Sequence, residues 1–169
     1  MQIGIGKLLA RDAGADRGAA QVAADEIRQI MWDFASIART AGRLSASRLE
    51  NEEETQLLAL MDQMDVALKA RDGGTYHKLN KTFHDLLMAI TKNPRLIDLN
   101  NTIEAELSLY LRKGVYTLAQ MQQSHTEHSR LVEALRNGRV TETADLFECH
   151  ILTGKQRMLD TVTRSALEA

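Results

Sequence analysis

Three histidines fall where a helix would turn each of them toward its own apolar stripe: His84, His128 and His150. Asn80 lies one helical turn before His84, so these two side chains share one helix face. Imidazole nitrogens and an amide oxygen are ligands that first-row metal ions accept. If the helices that carry them are antiparallel neighbours, four donor atoms converge inside the protein. The pattern therefore indicates a buried metal or anion site.

A single histidine on an apolar face is usually a core residue that one hydrogen bond satisfies. Three such histidines are a different case, because three buried imidazoles without partners would destabilise the fold by several kcal/mol. A shared metal site and a hydrogen-bonded core are equally consistent with the residues alone. We expect His77 and His125 to be solvated, and Cys149 to be a small packing residue.

Length and composition describe one ordinary domain. A chain of 169 residues buries roughly 70% of its unfolded surface on folding. With 44% hydrophobic and 26% charged residues, it is neither disordered nor membrane-spanning. The net charge of −2, with no cluster of Lys and Arg, argues against nucleic-acid binding by this chain alone.

The cellular compartment follows from cysteine usage and from the first residues. One cysteine, Cys149, excludes an internal disulfide framework and fits a reducing compartment. Residues 1–10 hold one lysine and an apolar run too short for a signal peptide. We expect a cytoplasmic protein.

Hydrophobic residues recur with a period of 3.6 almost throughout, which predicts an all-α antiparallel up-down bundle of about six helices. The first helix is predicted from about Val22 and the sixth from about Thr141 to near Ser165. Trp32 and several methionines are predicted to be core or subunit-contact residues, and Leu99 to face inward. The other signals, in chain order, are a cap at Asn51, a stop at Gly73–Gly74, a cap and proline at Asn93–Pro94, a bend near Gly114 and a C-terminal cap at Asn137–Gly138.

The chain is predicted to hold one folded unit. Residues 1–24 are interpreted as a lead-in segment, loose or partly helical, and residues 25–165 as a single ligand-sensing helical domain. No internal repeat, linker or second domain is indicated, and the lead-in is too short for a winged-helix DNA-binding domain.

Several short motifs together resemble one known family. They are FHDLL at 83–87, NPRL at 93–96, SHTEH at 124–128 with its serine-x-x-Glu-His spacing, and the closing positions Gly138, Ala144 and His150-Ile151. In this order they resemble the FCD domain, the effector-binding C-terminal domain of FadR-type GntR transcription regulators. The resemblance covers about Asp25 to Thr163.

The resemblance implies an antiparallel helical bundle whose core holds a divalent metal on one acidic residue and three histidines. The histidines carry over to His84, His128 and His150. The acidic ligand falls on Asn80, which is a departure from the family, because an amide offers a neutral oxygen in place of a carboxylate. We therefore expect weaker metal binding and a more positive site. Zn²⁺ or Ni²⁺ suits these ligands and leaves positions open for an effector carboxylate.

The resemblance also implies an effector and a partner. Arg28 in the first helix and Arg112 in the fourth are candidates for pairing with an anionic effector. A small organic acid would bind at the metal, and a homodimer would transmit the signal to DNA-binding heads of the full regulator. Trp32 replaces a position that is commonly acidic in the family.

Two other functions are consistent with the sequence. A metal-dependent hydrolase would use three histidines and an open position to activate water. Against it, no buried carboxylate is evident as a general base unless Glu127 turns inward, so we expect no enzymatic activity. The third candidate is a purely structural helical interaction protein with hydrogen-bonded histidines in its core.

Overall fold

The computed structural model describes residues 16–111 and 117–167, with side chains described for 25–108, 117–157 and 160. These residues form six helices: α1 (Asp16–Arg48), α2 (Asn51–Lys69), α3 (Gly73–Ile90), α4 (Pro94–Leu111), α5 (Leu118–Arg136) and α6 (Val140–Leu167). No strand occurs within the described ranges, which confirms the predicted all-α bundle. A search of the same residues found no helix with the length and hydropathy of a membrane span.

The long helix α1 organises the packing. It lies chiefly against α6 and also contacts α3, α4 and α5, while α2 packs on α3 and α5. Consecutive helices are therefore neighbours in the pairs α2–α3 and α5–α6, but within the described residues α1 and α2 do not pack on each other. A helix of 33 residues buries its apolar stripe only by meeting several partners along its length.

The contact between α1 and α6 is close because small residues lie in it. A Cβ added to Gly42 would lie 2.8 Å from the Cα of Ala144, so the two backbones approach too closely for a larger side chain. Beside this contact, Arg39 of α1 pairs with Glu148 at 2.5 Å and with Asp145 at 2.6 Å. These contacts fix the position of α6, which carries His150.

Two predicted helix-end signals are wrong, although α2 begins at the predicted Asn51. Glu50, and not Asn51, caps α2, because Glu50 forms a reciprocal capping box with Glu53. Gly73–Gly74 does not stop α2. It opens α3, where Asp72 accepts a hydrogen bond from the Thr75 amide at 2.9 Å. The Asp72 cap allows a new helix to begin at Gly73, although glycine usually ends a helix.

Other predicted helix ends are confirmed. Pro94 is the first residue of α4, and the Asn93 side chain accepts a hydrogen bond from the Leu96 amide at 3.3 Å. Gly138 follows α5 with a φ of 63°, a left-handed conformation that glycine adopts without strain. Helix α1 begins at Asp16, earlier than the predicted Val22. The predicted bend at Gly114 lies outside the described residues.

The core holds the predicted methionines but not every predicted apolar residue. Trp32 is 58% exposed and Leu99 is 49% exposed, so neither is a core residue. Periodicity locates the centre of an apolar stripe well and its edges poorly, because the partner helix decides where burial stops. The buried methionines are Met31, Met61, Met64, Met88 and Met121.

Candidate metal centre

The three predicted histidines meet at one place inside the bundle. His84 comes from α3, His128 from α5 and His150 from α6. His128 is 0% exposed and His150 6% exposed, while His84 is half-buried. One ligand atom from each residue lies within 4.8 Å of the others, which is close enough for a single metal ion.

The same ring nitrogen of each histidine faces the meeting point. The Nε2 atom of His150 lies 3.0 Å from Nε2 of His128 and 3.2 Å from Nε2 of His84. The rings of His84 and His150 stack with centroids 5.1 Å apart. Three nitrogens of one kind, from three helices, therefore converge.

Apolar rings hold the imidazoles in place. Phe83 is fully buried, and its ring lies 4.5 Å from the ring of His128, centroid to centroid. Phe147 lies 5.8 Å from the ring of His84 in the same way. Both phenylalanines are close in sequence to a histidine of the cluster, so the pattern that buries them also turns the histidines inward.

Burial keeps the imidazoles neutral. Desolvation lowers the pKa of His84 and of His128 well below the ordinary value of 6.5, and the nearby His150 lowers both further. The pKa of His150 is also lowered by burial, against the opposing effect of Glu127. Neutral imidazole is the form that binds a metal ion, because its unprotonated nitrogen carries a lone pair.

The carboxylate of Glu127 and the guanidinium of Arg157 orient His150 from the Nδ1 side of its ring, away from the cluster. Nδ1 of His150 donates to Glu127 at 2.7 Å, and Arg157 donates to both oxygens of Glu127 at 2.9 and 3.0 Å. Burial raises the pKa of Glu127, but the hydrogen bonds from His150 and Arg157 outweigh it, and the pKa is lowered to about 2. The ionised carboxylate only accepts, so Nδ1 of His150 carries the proton and Nε2 presents its lone pair to the cluster.

The sequence did not predict the roles of Glu127 and Arg157, which form the outer pair. It offers Glu127 only as a possible general base, whereas in the structure Glu127 contacts a histidine of another helix. Arg157 follows His150 by two helical turns, so the two side chains share a face of α6. That spacing is the signal that could have found Arg157.

A cavity of about 110 Å³ opens beside the histidines. Asn80, His84 and His150 contribute to its wall, together with the cations Lys81, Lys155 and Arg157. The Oδ1 atom of Asn80 is buried and has no hydrogen-bond partner among the described residues. Buried polar atoms are nearly always hydrogen-bonded, so this oxygen is a candidate ligand for a metal ion or another bound group.

The donor set fits a divalent metal. Three imidazole nitrogens and one amide oxygen match the ligands of Zn²⁺ or Ni²⁺. Without a metal, the single lone pair on Nε2 of His150 is shared between the Nε2–H groups of His128 and His84. That arrangement leaves Oδ1 of Asn80 without a partner, and a metal removes this deficit. Nδ1 of His128 is buried without a described partner in either case.

Of the two predicted effector-binding arginines, only Arg28 falls within the described residues. Arg28 is exposed on α1 and pairs with Asp25, and it does not line the cavity. Arg112 lies outside the described residues. The cations of the described wall, Lys81, Lys155 and Arg157, come from α3 and α6.

Three other predictions about single residues have clear outcomes. His125 is not solvated, since it is half-buried, its Nδ1 has no described partner, and burial lowers its pKa. The ring of His125 meets that of Tyr76 edge-on, with centroids 6.5 Å apart. His77 is exposed as predicted, whereas Cys149 is exposed and was predicted to be packed.

The fold and the histidine cluster define an all-helical domain with a small cavity beside the cluster. A family model described as the FCD domain matches residues 34–153, which are 120 of the 169 residues. The chain therefore belongs to the FCD domain family, as the sequence motifs indicated. FCD domains are the effector-binding domains of GntR-type transcription regulators, which are not enzymes. A search of curated proteins found no match to the chain.

Proposed function

We propose that this domain senses a small carboxylate through a divalent metal bound by His84, His128 and His150, with Asn80 as the fourth ligand. The observation that carries the proposal is the convergence of three Nε2 atoms from three helices beside a cavity. The unpartnered oxygen of Asn80 at the same cavity supports it further.

Each residue has a distinct task. The neutral imidazoles supply lone pairs, and Glu127 holds His150 in the tautomer that points Nε2 inward. Asn80 supplies an uncharged oxygen, so the protein's own ligands leave the positive charge of the site uncompensated. The metal, when bound, supplies an attachment point for a carboxylate oxygen. An anionic effector is therefore favoured over a neutral one.

The histidines connect the site to the rest of the bundle. They belong to α3, α5 and α6, and α6 packs along α1. Binding at the cluster would shift the balance between packings of these helices. We propose that a homodimer transmits this shift, and the exposed apolar side chains Trp32 on α1 and Leu99 on α4 support such an interface. We further propose a cytoplasmic location, and nucleic-acid contact through other parts of a regulator.

Metal and acid binding are tested on the same preparations. Metal-free protein is titrated with Zn²⁺ and with Ni²⁺, and its metal content is measured by elemental analysis. Melting temperatures are then recorded with a series of small organic acids, with and without EDTA. We expect about one ion per chain, as for a three-histidine site, and a higher melting temperature with at least one acid only when metal is present.

Two variants test whether the metal binds at the histidine cluster. His128→Ala removes a ligand of the cluster, and His77→Ala removes an exposed histidine that lines the cavity but is not one of the three converging rings. We expect metal uptake to be lost in the first and retained in the second. If His128→Ala binds as much metal as the wild type, or if neither acids nor EDTA move the melting temperature, the sensor function is wrong.

A hydrogen-bonded structural core is the second candidate, favoured by one observation. The separations of 3.0 and 3.2 Å between Nε2 atoms are hydrogen-bond distances and need no metal. Absence of metal in the wild type would favour this candidate. No observation favours the hydrolase, because both oxygens of Glu127 already accept hydrogen bonds from His150 and Arg157.

A further inference from the structure

One cation at the cavity wall forms no ion pair among the described residues. Lys155 of α6 is half-buried, and its Nζ lies 5.1 Å from the centroid of the Phe34 ring of α1. No carboxylate among the described residues forms an ion pair with it, and Glu104 acts on it only at longer range. Burial lowers the pKa of Lys155, which is the response of an ammonium group that lacks a partner.

The other two cations of the wall are already paired. Lys81 bonds both oxygens of Asp85, at 2.8 and 2.9 Å. Arg157 bonds both oxygens of Glu127 and so belongs to the outer side of the histidine cluster. Lys155 is thus the cation of the described wall that is available to a ligand.

We propose that Lys155 binds a second anionic group of the effector, so that the preferred effector is a small dicarboxylate. One carboxylate would bind at the histidine cluster and the other at Nζ of Lys155. The proposal rests on the proposed function and adds the class of acid that the site selects.

Charge and volume both favour this class. Three neutral imidazoles and a neutral amide leave the charge of a divalent ion intact, and Lys155 adds to it while Glu104 of the same wall offsets one charge, so a monocarboxylate still leaves positive charge uncompensated. A cavity of about 110 Å³ is somewhat smaller than the ~150 Å³ cavity that holds benzene in another protein. An acid of only a few carbons fits this volume.

The test compares acids of equal chain length by calorimetry on the metal-loaded full chain. The pairs are malonate with propionate, succinate with butyrate, and glutarate with valerate. Lys155→Met removes the charge and keeps an unbranched stem, Lys155→Arg keeps the charge, and Lys69→Met removes an exposed lysine of α2 as a control. Metal content and melting temperature are measured for every variant to establish that it is folded.

We expect the wild type and Lys69→Met to bind one dicarboxylate at least about tenfold more tightly than its partner monocarboxylate. Lys155→Met should lose this preference with unchanged metal uptake and unchanged monocarboxylate binding, and Lys155→Arg should retain a preference. A preference that persists in Lys155→Met, or one that is absent from the wild type, overturns the role of Lys155 while the sensor function stands. If the wild type binds metal but no acid of either kind, both proposals are overturned.

Discussion

The histidine cluster has two sides that differ in how well their polar groups are satisfied. On the outer side, Glu127 receives three hydrogen bonds of 2.7 to 3.0 Å from His150 and Arg157. On the cavity side, the oxygen of Asn80 has no hydrogen-bond partner among the described residues, and the ammonium group of Lys155 forms no ion pair there but lies 5.1 Å from the centroid of the Phe34 ring. The outer side holds the imidazoles in position, and the cavity side is where a ligand would complete the bonding.

This division is informative because an unsatisfied buried group destabilises the folded chain. Leaving a buried acceptor or charge without a partner costs on the order of 1–3 kcal/mol, and more for a charge. Glu127, His150 and Arg157 avoid this cost within the protein itself, whereas Nδ1 of His128 stays buried without a described partner. The cavity side keeps the cost in the ligand-free chain, and an unsatisfied group that lines a cavity is a candidate for ligand contact.

The largest expected effect on stability comes from metal binding, because the ion would contact both His150 of the outer side and Asn80 of the cavity side. Zn²⁺ at one hundred times its dissociation constant should raise the free energy of unfolding by about 2.7 kcal/mol. For a chain of this size, that corresponds to about 5–10 °C in melting temperature. Scanning calorimetry with Zn²⁺ and then with excess EDTA measures the rise and its reversal. An equal rise in His128→Ala would mean that the ion binds elsewhere.

The outer side is tested by Glu127→Gln. The amide still accepts a hydrogen bond but no longer holds a negative charge behind His150, so metal affinity should fall about 10–100-fold. Competition titration against a chromophoric chelator measures this change. Glu133→Gln, an exposed carboxylate of the same helix, is the control and should leave the affinity unaltered. Unchanged affinity in Glu127→Gln would remove the orienting role of the outer side.

The cavity side is tested by Asn80→Asp. A carboxylate in place of the amide adds a negative charge at the metal, so metal affinity should rise by at least about tenfold. Acid binding should weaken in the same variant, because the site then carries less positive charge. Asn101→Asp, an exposed residue of α4, controls for overall charge. Equal metal affinity in the wild type and Asn80→Asp would show that residue 80 does not reach the ion.

The smallest expected effect per residue is the pH dependence of the metal-free chain. His84 and His128 have pKa values well below 6.5 in the folded state, whereas unfolded histidine titrates near 6.5. Below that pH the unfolded chain binds more protons than the folded one, so the free energy of unfolding falls as pH falls. One such proton corresponds to about 1.4 kcal/mol per pH unit.

The contribution of the histidines to stability can be separated from that of Glu127, because the two contributions change over different pH ranges. The stabilisation from Glu127 is present above its ordinary pKa of 4.5 and is lost as pH falls toward about 2. Urea unfolding at pH 7.5, 6.5 and 5.5 therefore reports mainly on the histidines. A wild-type slope no steeper than that of His84→Gln would contradict neutral burial of the cluster.

Part of this arrangement could be predicted from the sequence. The inward direction of His84, His128 and His150 follows from helical periodicity, since each stands on an apolar stripe. The helix ends at Pro94 and Gly138 follow from local backbone chemistry. These features depend on neighbours within one turn of the chain, which the sequence displays directly.

The rest depends on how one helix is placed against another. Glu127 contacts His150 across the interface of α5 and α6, and Lys155 lies over Phe34 across the interface of α6 and α1. Periodicity gives the face of each helix but not its rotation and height relative to its partner. For the same reason the exposure of Trp32 and Leu99 could not be predicted from their apolar character.

The most direct measurement is anomalous scattering at the zinc or nickel edge from crystals of the metal-loaded chain. One peak is predicted among the three histidines, about 2.0–2.1 Å from each Nε2 atom, with the oxygen of Asn80 also bound. Absence of a peak, or a peak bound to residues other than His84, His128 and His150, would contradict a metal-dependent sensor.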